Sequence, residues 1–220
     1  MLQFKKYAAE FLGTFAIVFC GTGAIIIDEQ THGAVTHIGV AITFGLIVMA
    51  MIYTFGEKSG AHFNPAVTLA FSIVKRFQAN QILPYIISQL AGALSASVVL
   101  KILFPENQNL GATIPGGSDM QSFVLEFILT YFLMLVIINV SQGSKETGVL
   151  AGMAIGATVL LEAMFAGPIC GASMNPVRSL APALVSGNMQ SLWIYLIAPV
   201  TGAIAAVLTW SMMNDKTVQK

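Results

Sequence analysis

The chain has 220 residues, of which 56% are hydrophobic and 9% charged, and its formal net charge at pH 7 is zero. A soluble domain carries about a quarter charged residues, so this composition, with a mean hydropathy of +0.79, is that of a membrane protein. The zero net charge removes a general electrostatic case for binding nucleic acid. Cys20 and Cys170 match no metal-ligand spacing or disulfide framework and are expected to pack as small apolar side chains.

Six apolar segments of membrane-spanning length are predicted in chain order. They cover residues 7–27, 35–55, 82–104, 121–140, 148–167 and 190–213. The first follows Lys5 and Lys6, a pattern that is also typical of a secretory signal peptide. Its apolar run has no convincing small-residue cleavage site, however, so a first membrane span is the better interpretation.

Two copies of one motif lie between these spans. Residues 60–65 and 171–176 each contain Gly-Ala, two further residues and then Asn-Pro. Asn is a favoured N-cap, and Pro suits the first helical position because its missing N–H would be unpaired there. Each copy therefore predicts a short helix, over about 65–76 and about 176–185. Because these helices are too short to cross a bilayer, we expect half-helices whose partially positive N-termini meet near its centre.

The basic residues indicate the orientation of the spans. If the six spans alternate, one side of the membrane collects most of these residues: Lys5, Lys6, Lys58, Lys75, Arg76, Lys145, Lys216 and Lys220. The loops of the other side carry acids: Asp28, Glu29, Glu106 and Asp119. The positive-inside rule then predicts that both termini are cytoplasmic and that the second half-helix enters from outside.

Similarities between the halves predict an inverted repeat within one channel domain, 1–220. The first repeat is expected over 1–104 and the second over 120–220, with 105–119 as the linker. Spans three and six have a small residue at every fourth position, which favours close helix packing in lipid: Ser88, Gly92, Ala96, Ala198, Gly202 and Ala206. The fold class predicted is an all-α membrane protein with six transmembrane helices and two re-entrant half-helices. Inverted repeats with short interrupted segments indicate a substrate path near the bilayer midplane.

The paired motifs, with Arg178 three residues after the second Asn, resemble the aquaporin and aquaglyceroporin (major intrinsic protein) family over nearly the whole chain. Residues 167–176 resemble its nodulin-like branch and the bacterial relatives of that branch more than the strict water channels. The resemblance implies a passive channel for water and small uncharged solutes, such as glycerol, urea, arsenite or boric acid. It also implies a homotetramer without cofactor or metal, in the plasma or bacterial inner membrane. The motif residues that it places at the pore are Asn64, Pro65, Ala66, Asn175, Pro176 and Val177.

The family has a narrow selectivity filter built from four positions, and the resemblance assigns them to Phe44, Ala163, Ala172 and Arg178. Strict water channels usually have His at the position of Ala163. Here the two alanines leave that side open, which favours a solute larger than water. Phe44 supplies an apolar wall and Arg178 supplies donors, an arrangement that suits a solute with hydroxyl groups on one edge.

Three positions depart from the family pattern. The second motif has Val177 in place of Ala, a change expected to affect how the half-helices abut. Residues 56–60 lack a His that many members have before the first motif. Glu162 adjoins Ala163 and places an ionisable group in the fifth span.

The predicted spans also contain three acidic residues, Glu10, Glu126 and Glu162. Glu10 and Glu126 occupy comparable places in spans one and four, where a charged residue is expensive and usually functional. They could form a proton relay, but we favour their bracing the re-entrant loops through backbone hydrogen bonds. Glu162 points about 100° away from Ala163 on a helix, so bracing of the outer loop is favoured over pore lining.

The sequence is also compatible with other functions. His37 and His62 could gate the pore by protonation, although a polar anchor is the more usual role. A strict water channel is one alternative function, and a proton-coupled secondary transporter that uses the three acids is another. An ion channel is disfavoured because no carbonyl-rich or acidic filter ring is present. No nucleophile–base pair, phosphate loop or metal cluster supports an enzyme.

Overall fold

The computed structural model describes residues 2–141 and 145–214 of the chain, and the regular elements of this part are all helices. Its α-helices, numbered in chain order, are α1 Leu2–Gln30, α2 Thr36–Ser59, α3 Pro65–Ile73, α4 Ile82–Leu103, α5 Asp119–Val140, α6 Lys145–Cys170, α7 Pro176–Ser186 and α8 Leu192–Asn214, with a 3-10 turn at Ala79–Gln81. All except α3 and α7 include a segment long and apolar enough to cross a membrane. The predicted fold class is therefore confirmed.

The short helices α3 and α7 begin at the predicted Pro residues but end at slightly different positions. Helix α3 ends at Ile73 rather than near residue 76, because Lys75 has a left-handed backbone with φ of 58°. That conformation is incompatible with a continuing right-handed helix. Helix α7 ends at Ser186, one residue later than expected, and Gly187 follows with φ of 82°, the usual left-handed helix stop.

The helices have their ends on two sides of the bundle, which we name by their residues. The basic end contains Lys58, Lys75 and Arg76, and the linker end contains residues 104–118, which connect α4 to α5. At the basic end, Arg76 donates through Nη1 to the carbonyl of Ile138 at 2.7 Å, while its guanidinium lies 4.2 Å from the ring of Trp210. Lys216 and Lys220 of the predicted basic side lie outside the described residues.

Helices of the two halves pack in matching pairs. Helix α1 packs on α4 and α5 packs on α8, while α3 contacts α8 and α7 contacts α4. In both long pairs the backbones approach closely at a glycine: a Cβ on Gly92 would lie 2.2 Å from the carbonyl oxygen of Phe11, and one on Gly202 would lie 2.3 Å from that of Phe127. No larger side chain fits at either place without moving a helix. The small residues of spans three and six therefore mark real helix contacts.

Helices α2 and α6 pack together between the two halves. They also meet at glycines, since a Cβ on Gly45 would lie 2.7 Å from the carbonyl oxygen of Gly156, and one on Gly156 would lie 2.6 Å from that of Gly45. We call this contact the α2–α6 seam. Because the two helices belong to different halves, the seam fixes one half against the other.

Candidate functional site

The two loops that precede α3 and α7 follow the same unusual backbone path. In each loop the first, second and fourth residues have positive φ: 84°, 51° and 49° at Gly60, Ala61 and Phe63, and 80°, 42° and 53° at their counterparts Gly171, Ala172 and Met174. Only the first of each set is a glycine. The others cost about 1 kcal/mol or more each, so surrounding contacts must hold these loops in place.

Glu10 of α1 holds the first loop. One oxygen of its buried carboxyl accepts from the backbone N–H of His62 at 3.0 Å and from the Ser59 hydroxyl at 2.7 Å. The other accepts from the backbone N–H of Phe63 at 2.7 Å and from the amide of Gln89 at 2.8 Å. All four donors point at one side chain, which fixes the loop against α1 and α4.

Glu126 of α5 occupies the matching position beside the second loop. Its two oxygens accept from the backbone N–H groups of Ser173 and Met174 at 2.7 Å and 2.8 Å. Both acids are fully buried, and both bind backbone of a re-entrant loop. Their observed contacts are those of structural braces, and each carboxyl is engaged by donors within its own half of the molecule.

Asn64 and Asn175 connect the two half-helices in two ways. The side-chain oxygen of each caps its own helix: Asn64 accepts from the N–H of Ala66 at 2.9 Å, and Asn175 accepts from that of Val177 at 3.2 Å. The amide nitrogen of each reaches the opposite loop. Asn64 donates to the carbonyl of Met174 at 2.7 Å, and Asn175 donates to that of Phe63 at 2.9 Å. Since an amide nitrogen carries two hydrogens, each Asn retains a second donor.

A cavity of about 730 Å³ runs along these loops from the basic end toward the linker end. Most of its wall is apolar: Ile17, Val48, Ile52, Val67, Phe71, Leu133, Ile137, Ile155 and Val159. Its polar groups come mainly from the two loops, including Asn64 and Asn175, and from Arg178. The carbonyls of His62 and Ser173 accept no hydrogen bond from another described residue, which leaves acceptors beside the cavity. The cavity is therefore apolar except at two polar sites, one at the paired loops and one at Arg178.

Three of the four residues assigned to the filter line this cavity near the linker end. These are Phe44, Ala172 and Arg178, and the guanidinium of Arg178 lies 5.0 Å from the centre of the Phe44 ring. Ala163 is buried in the core cluster that also contains Phe44 and Ala172, and it is not among the residues that line the cavity. On α6 the lining residue nearest to it is Val159, one turn away.

The linker between the halves positions Arg178, a role that the sequence did not reveal. The carbonyl of Gly111 accepts from Nη1 of Arg178 at 3.0 Å. The hydroxyl of Thr113 donates to that of Ser179, the next residue, at 2.7 Å. Arg178 is only 2% exposed, so the linker fixes a buried cation. The polar composition of the linker is compatible with any surface loop, so no sequence signal indicated these contacts.

The structure corrects two of the sequence expectations. Glu162 does not brace the outer loop by hydrogen bonding: it is 4% exposed, and its Oε2 atom has no partner among the described residues. It is also not among the residues that line the cavity. Val177 does not enter the pore either, because it packs with Val18, Ala93, Ala96 and Ala181 on the side of α7 that faces α1 and α4.

The two histidines lie in different surroundings. The ring of His62 contacts those of Phe71, Phe77 and Tyr85, and its Nδ1 lies 3.1 Å from the Thr68 hydroxyl. It borders the cavity but is held on several sides. His37 is exposed at the start of α2, where it contacts α6.

This fold and cavity define a class of protein, a helical membrane channel whose wall includes two re-entrant half-helices. A family model described as "Major intrinsic protein" matches residues 1–210. The chain therefore belongs to the major intrinsic protein, or aquaporin, family, whose members are passive channels rather than enzymes.

Similar plant proteins belong to the nodulin-like branch, as the resemblance predicted. The chain is 47% identical to Aquaporin NIP1-1 of Oryza sativa subsp. japonica over 211 residues, which are 96% of this chain and 74% of that protein. It is 44% identical to Nodulin-26 of Glycine max, over 96% of this chain and 78% of that protein. Among solved structures it is similar to an aquaglyceroporin from Plasmodium falciparum, with a TM-score of 0.85, 25% identity and coverage of 94% of this chain and 95% of that one.

Proposed function

We propose that the pore carries water and small uncharged solutes of the size of glycerol, urea or a metalloid hydroxide such as arsenite or boric acid. The observation that carries this proposal is the small lining beside Arg178 at the linker end of the cavity. Ala172 lines the cavity there, and the residues that α6 contributes to the wall, Ala151, Ile155 and Val159, include no aromatic ring. Phe44 would contact the carbon edge of a polyol while Arg178 donates to its hydroxyls.

Selection would continue at the centre of the membrane. The free N–H of each Asn donates to a solute oxygen, and the loop carbonyls accept its hydroxyl hydrogens. The positive ends of α3 and α7 point toward the same place, where they oppose the passage of cations, as is recognised for aquaporin-type pores. A neutral molecule with both donors and acceptors exchanges its hydrogen bonds with water for hydrogen bonds at these polar sites, so its passage costs little free energy. An ion loses its hydration without an equivalent replacement.

The larger organisation of the channel is also a proposal. Residues 1–104 and 120–220 would form the inverted repeats of one channel unit, joined by the linker 105–119. The concentration of Lys and Arg at the basic end supports a cytoplasmic location for that end and for both termini. We propose a plasma or bacterial inner membrane location and, from the family, a homotetramer with one pore per subunit.

Stopped-flow light scattering on proteoliposomes tests the proposed solutes. Shrinkage in an impermeant osmolyte reports water flux, and re-swelling in glycerol or urea reports solute flux. The proposal is wrong if water passes and neither solute re-swells the vesicles. Arsenite and borate need a separate uptake assay, because their chemistry is not decided by glycerol permeability. A proton-coupled transporter would instead show flux that saturates and follows a pH gradient.

Ala163→His is expected to reduce glycerol flux more than water flux. Ala163 lies one turn from the lining residue Val159, so an imidazole there would extend toward the open side of the filter. The two fluxes are measured on the same vesicles. Ala163→Ser, which adds little volume, is the matched control. An equal loss of both fluxes would contradict the assignment of this position to the filter.

A further inference from the structure

Helix α6 contains a proline close to its end, and this proline frees a backbone carbonyl. Pro168 has no N–H, so the carbonyl of Met164, four residues earlier, loses the donor that an α-helix would normally supply. Nε2 of the His37 imidazole lies 2.9 Å from that carbonyl oxygen. Because a carbonyl oxygen can only accept, His37 must donate the hydrogen. A side chain of α2 therefore replaces the missing N–H of α6.

The imidazole fits here because the neighbouring residue of α6 is a glycine. A Cβ on Gly167 would lie 2.8 Å from Cε1 of His37, so a larger residue would displace the ring. The contact joins the first turn of α2 to the last turns of α6. We call the hydrogen bond from His37 to Met164, with the ring seated on Gly167, the His37 clasp.

A similar contact joins the same helices at the basic end. There the N–H of Met153 donates to the Tyr53 hydroxyl at 3.2 Å, and a Cβ on Gly152 would lie 2.8 Å from the Tyr53 ring. The glycine contact of the α2–α6 seam lies between these two ends. The separation of α2 from α6 is therefore fixed at three points, and the His37 clasp is the one at the linker end.

Both helices carry a residue that the family resemblance assigns to the filter. Phe44 lies seven residues after His37, two turns further along the same face of α2. Ala163 directly precedes Met164 on α6. Phe44 is confined on its other side, because a Cβ on Gly21 of α1 would lie 2.1 Å from its ring. A change in the α2–α6 separation beside His37 would thus move the apolar wall of the filter relative to α6.

We propose that His37 is a positioning residue that sets the width of the filter and so the largest solute that the pore admits. It acts through α2, since it does not line the cavity. This inference rests on the proposed function, because it concerns which uncharged solutes pass. Both the Nε2–H tautomer and the imidazolium can donate to Met164, so the clasp does not need a particular charge. A protonation gate at His37 is not part of this role.

A substitution at Pro168 can distinguish a positioning role of His37 from a purely structural one. Pro168→Ala returns an N–H to α6 that competes with His37 for the carbonyl of Met164, whereas His37→Ala leaves that carbonyl unpaired. If His37 positions α2, each variant raises the ratio of erythritol to glycerol permeability by about fivefold, the factor that one ordinary hydrogen bond contributes to an equilibrium. The double variant then shows no further rise, because both changes break the same bond. If His37 only satisfies the carbonyl, Pro168→Ala leaves the ratio unchanged.

The measurement is stopped-flow light scattering on proteoliposomes with water, urea, glycerol and erythritol. His32→Asn is the matched control, because His32 is an exposed histidine at the same end with a left-handed backbone that Asn tolerates. Its solute series should equal that of the wild type. If His37→Ala does not assemble, His37→Phe keeps a ring on Gly167 without the donor and should show the same rise in ratio.

Failure of this inference can be told apart from failure of the proposed function. If wild-type vesicles pass water but neither urea nor glycerol, the proposed solutes are wrong, and the clasp is then tested by whether His37→Ala and Pro168→Ala admit urea. Entry of urea through both variants supports the clasp. A solute series that is the same in the wild type and in both variants overturns it, whatever the wild type carries.

Discussion

The two re-entrant loops share a backbone path but differ in the side chains that hold them. Glu10 receives four donors, two of them side chains, Ser59 and Gln89. Glu126 receives two, both from backbone. The second loop is held instead from the linker, through Thr113 and Ser179 and through the bond from Arg178 to Gly111.

The features that the two loops share and the features in which they differ lie at different places in the molecule. The loops have in common their paths into Asn64 and Asn175 and the reciprocal bonds of these two residues, where the proposed exclusion of cations would act. What differs lies at the linker end, where Arg178 has Val67 as its counterpart in the first half. The proposed selection among neutral solutes thus depends on the linker end, where the two halves of the chain differ in sequence.

The largest effect is expected from neutralising the two loop-bracing acids. Glu10→Gln replaces one accepting oxygen with an NH₂ group that faces two donors, and should lower the stability of the folded channel by about 3 kcal/mol or more. Glu126→Gln places its NH₂ against a single donor and should cost less. Thermal unfolding in detergent, followed by circular dichroism, measures both.

The exposed Glu106 of the linker provides the control, since Glu106→Gln should leave the melting temperature nearly unchanged. Equal losses for Glu10→Gln and Glu126→Gln would show that side-chain donors add nothing to the first brace. The difference between the loops would then have no energetic meaning.

An intermediate effect is expected from making the halves alike at the filter. Arg178→Val gives the second half the residue of the first and removes the buried cation near Phe44. We expect cation conductance in planar bilayers, measured with ammonium, to rise by about tenfold or more, because one barrier to positive charge is lost. Arg178→Lys keeps the charge and should keep the barrier. An unchanged conductance in Arg178→Val would place the whole of cation exclusion at the two half-helices.

The smallest effect is expected at Glu162, which, unlike Glu10 and Glu126, accepts no observed hydrogen bond from a re-entrant loop. Its Oε2 atom has no hydrogen-bond partner in the part of the chain that the structure describes. Glu162→Gln therefore removes no observed hydrogen bond and should change stability by no more than about 1 kcal/mol, in the stabilising direction. Water permeability should stay as in the wild type. A destabilisation as large as that of Glu126→Gln would show that Glu162 does brace part of the structure.

The parts of the fold that were predictable are those with a local cause. Apolar runs of spanning length predicted the six long helices, and Asn followed by Pro predicted where α3 and α7 begin. Their ends were less predictable, since Lys75 carries no sequence signal for its left-handed backbone. At the site, the assignment of Phe44, Ala172 and Arg178 to the filter followed from the family resemblance, and the structure places all three on the cavity wall. The distance of Ala163 from the cavity depends on how α6 packs on α2, which spacing along one chain does not contain.

The sequence by itself determined that this is a membrane-spanning helical protein with two half-helix starts, one in each half of the chain. These properties depend on hydropathy, capping chemistry and chain order, all of which are local or additive along the chain. Only the tertiary structure decided which donors reach Glu10 and Glu126, that each Asn binds the opposite loop, and that the linker holds Arg178. Those contacts join residues more than 45 positions apart, and their geometry is set by helix packing around glycines such as Gly92 and Gly202.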